Sequence, residues 1–227
     1  MKIIVANWKM NGDERLCDEI IDISKNRWNK SAIVVCPPSP LLFKFNACNF
    51  SLGAQNCGHK ASGAFTGEIS PQLLRTIGCS HVILGHSERR QLFGETDERI
   101  FEKYLAAIAA NLTPIICIGE NSQEDYRVVL NNQISKFLSD QNISQAIFAY
   151  EPIWSIGTGV IPSIEKISEV TSFVKNLTGT KAIYGGSVND ENISEILKIS
   201  SLDGVLVGGA SLKPKEFASM IEKLSTK

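Results

Sequence analysis

Ala146-Ile147-Phe148-Ala149-Tyr150-Glu151 and Lys181-Ala182-Ile183-Tyr184 bracket one repeat of the pattern that decides the fold. The first stretch is a continuous apolar run that ends in a carboxylate. Between the two, Ser163 offers a helix cap, and Ile164, Ile167, Val170, Val174 and Leu177 follow it at helical spacing. A short, continuous apolar run suits a strand buried on both faces, as in a parallel sheet. Strand, helix and strand in that order make a βα unit.

Working outward, the same kind of run begins at Lys2, Ala32, Phe50, His81, Pro114 and Asp203. Helical patterns lie between them. Leu16, Ile20 and Ile23 follow Asp13; Ile100, Tyr104 and Ile108 follow Thr96; Tyr126, Leu130, Ile134 and Leu138 repeat every four residues. Phe217, Met220, Ile221 and Leu224 follow Pro214, a residue suited to a first helical turn. Fainter helical patterns cover 39–47, 70–77 and 190–200. The runs recur about every 29 residues, within the length of a βα unit. No linker or charge block interrupts them. Eight strands with eight helices in one domain, residues 1–227, predict a closed (β/α)8 barrel. The rival, an open doubly wound sheet, normally carries a glycine-rich turn after its first strand. Here that turn reads Asn7-Trp8-Lys9-Met10-Asn11.

Composition narrows the function. Of 227 residues, 43% are hydrophobic and 21% charged, enough for a large core. With 23 basic and 24 acidic residues the net charge is -1, which argues against nucleic acid or an acidic membrane surface as the main partner. No apolar run approaches the length of a membrane span, and the N-terminal run lacks the features of a cleavable signal. The six cysteines form no CxxC pair and no zinc spacing, which fits a reduced, cytoplasmic setting and no metal.

In such a barrel, chemistry sits at the C-terminal strand ends. Asn7 and Lys9 follow the first strand, His86 and Glu88 the fourth, Glu151 the sixth. Gly185-Gly186-Ser187 follows the seventh and Gly208-Gly209 the eighth. Paired glycines at adjacent strand ends let backbone N–H groups approach an anion, which suggests a phosphate site. Glu151 is the candidate base, strengthened by burial at the end of an apolar strand. Ser87 is read as the cap of a short helix reaching Phe93, whose positive end disfavours imidazolium at His86. Lys9 supplies positive charge for a developing oxyanion. Pro152 to Gly159 reads as a lid, anchored by Trp154 and hinged at Gly157 and Gly159. His59 and His81 are read as structural.

These strings together resemble the triosephosphate isomerase family. The resemblance rests on Asn7-Trp8-Lys9-Met10-Asn11, Ser62-Gly63-Ala64-Phe65-Thr66-Gly67-Glu68, Leu84-Gly85-His86-Ser87-Glu88-Arg89-Arg90, Cys117-Ile118-Gly119-Glu120, Tyr150 through Gly159, Tyr184-Gly185-Gly186-Ser187 and Val207-Gly208-Gly209-Ala210-Ser211-Leu212. It implies a TIM barrel that interconverts dihydroxyacetone phosphate and D-glyceraldehyde 3-phosphate through an enediolate, in glycolysis and gluconeogenesis, with no cofactor. The glutamate base, the neutral histidine and the closing lid are roles known for the family and carried over rather than derived. By that likeness Glu151 moves the carbon-bound proton and His86 polarises the carbonyl. Lys9 and Asn7 bind and stabilise the enediolate, while Glu88, the acidic residue beside the lysine, orients the site rather than acting as the base. Gly157, Ser187, Gly208 and Gly209 hold the phosphate, and Tyr184 and Ser187 latch the closed lid.

The stretch from Gln55 to Ser70 is long for a βα connection and lacks a helical pattern. The resemblance implies that it crosses into a second copy of the chain, giving a homodimer. Thr66 would be the crossing residue, with Phe65 at the tip and Glu68 facing Arg89 of that copy. Two departures stand out. Ser155 replaces the alanine usual in the lid, and Val160-Ile161-Pro162 replaces small or polar residues at its trailing hinge. The chain is also shorter than most of the family, within 37–52, 121–140 and 160–181. Two other readings stay open at this point: another phosphosugar enzyme on the same barrel, and a barrel kept for binding alone.

Overall fold

Each strand sends alternate side chains to opposite faces. In β1 (Ile3–Asn7) Ile3 and Val5 enter one apolar cluster with Val34, Ile83, Ile115 and Ile183, while Ile4 and Ala6 join another with Trp8 and Ile20. The first cluster fills a barrel lumen; the second lies between the sheet and its helices. Burial on both faces is why the strands read as continuous apolar runs. The structure, a computed structural model, describes residues 2–26 and 32–225.

The strands are β1, β2 (Ala32–Cys36), β3 (Ser51–Ala54), β4 (Cys79–Leu84), β5 (Thr113–Ile118), β6 (Ile147–Tyr150), β7 (Lys181–Tyr184) and β8 (Gly204–Val207). They pair in parallel in sequence order, and β8 closes on β1 with Ile3 opposite Gly204 and Ala6 opposite Val207. This is the closed (β/α)8 barrel that the sequence pattern predicts.

The helices are α1 (Glu14–Ser24), α2 (Pro71–Thr76), α3 (Ser87–Phe93), α4 (Asp97–Ala109), α5 (Tyr126–Ser135), α6 (Ile164–Thr178), α7 (Ile193–Ile196) and α8 (Pro214–Ser225). Asp13, Thr96 and Ser163 cap α1, α4 and α6 through their side chains, as their positions predict. The spacing along the chain is less even than the sequence reading implies. The β2–β3 connection holds only a 3-10 helix (Ser39–Ala47), the β4–β5 connection holds both α3 and α4, and α7 is a single turn. Ser87 does not cap α3: it is the first helical residue, and the His86 ring takes the cap position. Leu138 lies beyond α5 and is exposed, and Phe137 is the residue buried there. Among the described residues no helix is long and apolar enough to cross a membrane.

Candidate active site

The strand ends bring the sequence-predicted residues to one face of the barrel. Asn7 ends β1 and is buried. Its Oδ1 accepts the Lys9 N–H at 3.0 Å, and Gln55 Nε2–H donates to the Lys9 carbonyl at 2.8 Å. Those two bonds hold Lys9 at φ 51°, a left-handed conformation costly for any residue with a Cβ. The lysine is thereby aimed across the barrel end, where Nζ meets Glu88 Oε1 at 2.7 Å.

His86 follows β4. The Glu88 N–H donates to His86 Nδ1 at 3.2 Å, so Nδ1 is an acceptor and the proton of the neutral ring sits on Nε2. That nitrogen lies 3.5 Å from Glu151 Oε1. Glu151 leaves β6 with its N–H bonded to the Ile118 carbonyl at 2.7 Å. Its Oε2 accepts the Ser87 N–H at 3.3 Å, while Oε1 is buried with no hydrogen-bond partner. Glu95 and Glu120 each also bury one unpartnered carboxylate oxygen, but the Glu151 oxygen faces the His86 ring, where it is an acceptor free to take a proton. Two glycines make room for this residue. A Cβ at Gly185 would lie 2.8 Å from Glu151 Cγ, and one at Gly119 would lie 1.8 Å from the Glu151 carbonyl oxygen. The Cys117 thiol sits beneath, and burial followed by the facing Glu151 carboxylate pushes its pKa well up. It is a packing group in that state, not a nucleophile.

A cavity of about 330 Å³ opens beside this pair. Lys9, His86, Gly157, Ser187, Gly208 and Gly209 all line it, so the residues predicted for phosphate and for charge converge. Asn7 and Glu151 lie behind its wall. The 3-10 turn Gly209–Leu212 starts at the cavity, where backbone N–H groups suit an anion. Among the described residues no three His, Cys, Asp or Glu side chains gather as metal ligands would.

The segment read from the sequence as a lid leaves the site through Pro152 and the 3-10 turn Ile153–Ser155. Trp154 lies near the buried Glu120 carboxylate, which accepts the Tyr150 O–H at 2.9 Å. Burial raises the Glu120 pKa, and the Tyr150 hydrogen bond is the first of the contacts that oppose the rise. The sequence places Gln55, Glu120 and Tyr150 at strand ends but assigns no role to them or to the Ser87 N–H. Each acts through a contact between distant strand ends, which a local pattern does not carry. His59 stacks edge-on against Phe65, and His81 is bonded to Ser80 at the opposite end of β4; neither joins the site.

Fold and site together define an isomerase of the (β/α)8 class. The chain belongs to the triosephosphate isomerase family, whose model matches residues 2–224. It is 43% identical to a triosephosphate isomerase of Wolbachia pipientis wMel, over 99% of this chain and 95% of the relative. It is 40% identical to one from Endomicrobium trichonymphae, over 97% of each. For one from Aquifex aeolicus (strain VF5) the identity is 38%, over 97% of this chain and 98% of the relative.

Proposed function

We propose that this isomerase interconverts dihydroxyacetone phosphate and D-glyceraldehyde 3-phosphate through an enediolate, without a cofactor. Glu151 takes the proton from the carbon next to the carbonyl and returns it to the neighbouring carbon. The His86 Nε2–H hydrogen-bonds the carbonyl oxygen as negative charge develops there, then moves protons between the two substrate oxygens. Lys9, held in place by Asn7 and Glu88, offsets the enediolate charge. The phosphate binds the backbone at Gly157, Ser187, Gly208 and Gly209. Its distance from the reacting carbons lets its binding energy serve closure of the lid. Closure keeps water from an intermediate that would otherwise expel phosphate.

The observation that carries this reading is the Glu151–His86 pair at 3.5 Å, with an unpartnered carboxylate oxygen, beside a cavity lined by Lys9 and the paired glycines. The whole chain acts as one barrel domain in the cytoplasm, in glycolysis and its reversal. It works as a homodimer in which Thr66 and Phe65 of the 55–70 loop cross to the second copy and Glu68 faces Arg89 there. Support for the dimer comes from large apolar side chains left in water near that loop and the site, Met10, Phe65 and Leu73 among them.

The test is Glu151→Gln, which keeps the shape and removes the base. A positioned general base is worth roughly 10²–10⁴ in rate. Turnover of D-glyceraldehyde 3-phosphate should fall by at least that lower figure with the circular dichroism spectrum unchanged. Near-normal turnover by pure, folded variant would refute the base assignment.

A further inference from the structure

Ser155 is fully buried at the leading hinge of the lid. Its Oγ lies 2.6 Å from the carbonyl oxygen of Val160, at the trailing end of the same lid, and 3.2 Å from the Tyr184 hydroxyl. Its own carbonyl accepts the Ser187 O–H at 2.7 Å. A serine hydroxyl has one proton, and a carbonyl only accepts. The proton therefore goes to Val160, and Tyr184 is the donor in the other contact. Ser155 takes the hydroxyl protons of Tyr184 and Ser187 and gives its own across the lid. Only residues 156–159 lie between the two ends it joins, and Gly157 and Gly159 there have φ of 69° and 76°. The Tyr184 hydroxyl also fills the space that a side chain at Gly186 would need, with a Cβ there lying 2.1 Å away, so the node is built into the β7 strand end.

In this arrangement the Glu151 carboxylate is withdrawn. It is 1% exposed, bonded to the Ser87 N–H, and absent from the cavity wall. Three residues, Pro152 to Trp154, connect it to Ser155, so the position of the lid and that of the carboxylate are linked.

We infer that the Ser155 hydroxyl is a positioning residue: it fastens the lid in the conformation with the carboxylate withdrawn, and substrate must exchange its hydrogen bonds to close the site. This rests on the reading of the site given above. Without the hydroxyl, the fastened conformation leaves the buried Tyr184 O–H unpaired and loses the cross-lid bond. The balance then moves towards the conformation that closes on ligand, and apparent affinity rises with its population.

Ser155→Ala tests this: it deletes one buried hydroxyl and adds no bulk, and an unchanged circular dichroism spectrum shows that the fold is kept. Hydrogen exchange of the 156–161 amides in ligand-free protein should become several-fold faster. Unchanged exchange would overturn the inference whatever the activity. With 2-phosphoglycolate, a planar anion resembling the enediolate, Kd should fall about fivefold, the weight of one net hydrogen bond. KM for D-glyceraldehyde 3-phosphate should fall with it while kcat stays level or drops. Unchanged or raised Kd and KM would also overturn it. A wild type without turnover whose lid amides still respond to the substitution would sink the proposed reaction and leave the lid inference standing.

Discussion

Gly185 shows how tightly the site is specified at the scale of single residues. Any side chain there meets Glu151 Cγ, with a Cβ at 2.8 Å, and the glutamate is itself enclosed by Gly119, Cys117 and Ser87. A displacement of about 1 Å at a reacting group can cost on the order of 10² in rate. Gly185→Ala is therefore expected to lower kcat/KM by about that factor with the fold retained; activity within twofold of wild type would mean that the carboxylate tolerates the shift. Lys9 makes the complementary point. Its left-handed backbone is strained, and Asn7 and Gln55 hold it there. The sequence showed Asn7 and Lys9 two residues apart at a strand end, a pattern that locates both. It assigned no role to Gln55, whose amide reaches Lys9 from another strand end. The cap of α3 was misread for a related reason. Serine is a common cap, but here the imidazole one residue earlier accepts the Glu88 N–H, and that bond also sets the His86 tautomer.

At the scale of elements, the strands were legible because burial on both faces leaves an unbroken apolar run. Helix positions were less legible. The 190–200 stretch contains only one helical turn, Ile193–Ile196, and 39–47 winds as a 3-10 helix that buries just Leu42 and Phe45, three residues apart. Two helices follow β4 because Gly94 at φ 64° ends α3 and Thr96 caps α4 two residues later. The tip of the 55–70 loop stands in solvent. Residues 61–68 are all exposed, and Phe65 packs edge-on against the His59 ring of its own loop. A crevice of about 330 Å³ behind it is lined by His59, Phe65, Gln72 and Leu73. An aspartate at an apolar interface loses hydration without gaining a partner. Sedimentation velocity at micromolar concentration should show a dimer for wild type and a monomer for Phe65→Asp. A wild-type monomer with full turnover would remove the dimer from the account.

For the molecule as a whole, stability depends on pH at the barrel end opposite the site. His81 is largely buried, and desolvation, then the nearby Lys181 charge, depresses its pKa from 6.5 to about 4. Its Nδ1 contacts the Ser80 hydroxyl at 2.8 Å. A depressed folded-state value means the unfolded chain takes up the proton first as pH falls. This contribution is full above pH 6.5 and is lost as pH drops towards 4. Between pH 7 and pH 5 it amounts to about 2 kcal/mol. Urea unfolding at both pH values should show that loss in wild type and less of it in His81→Gln; equal losses would assign the acid sensitivity to other groups. The catalytic end carries the central claim, that a single carboxylate at the end of β6 performs the proton transfer. The most direct measurement is turnover of D-glyceraldehyde 3-phosphate by wild type and Glu151→Gln prepared identically. The account predicts rapid turnover in wild type and a loss of at least about 10² in the variant; equal turnover in both, or none in a folded wild type, would contradict it.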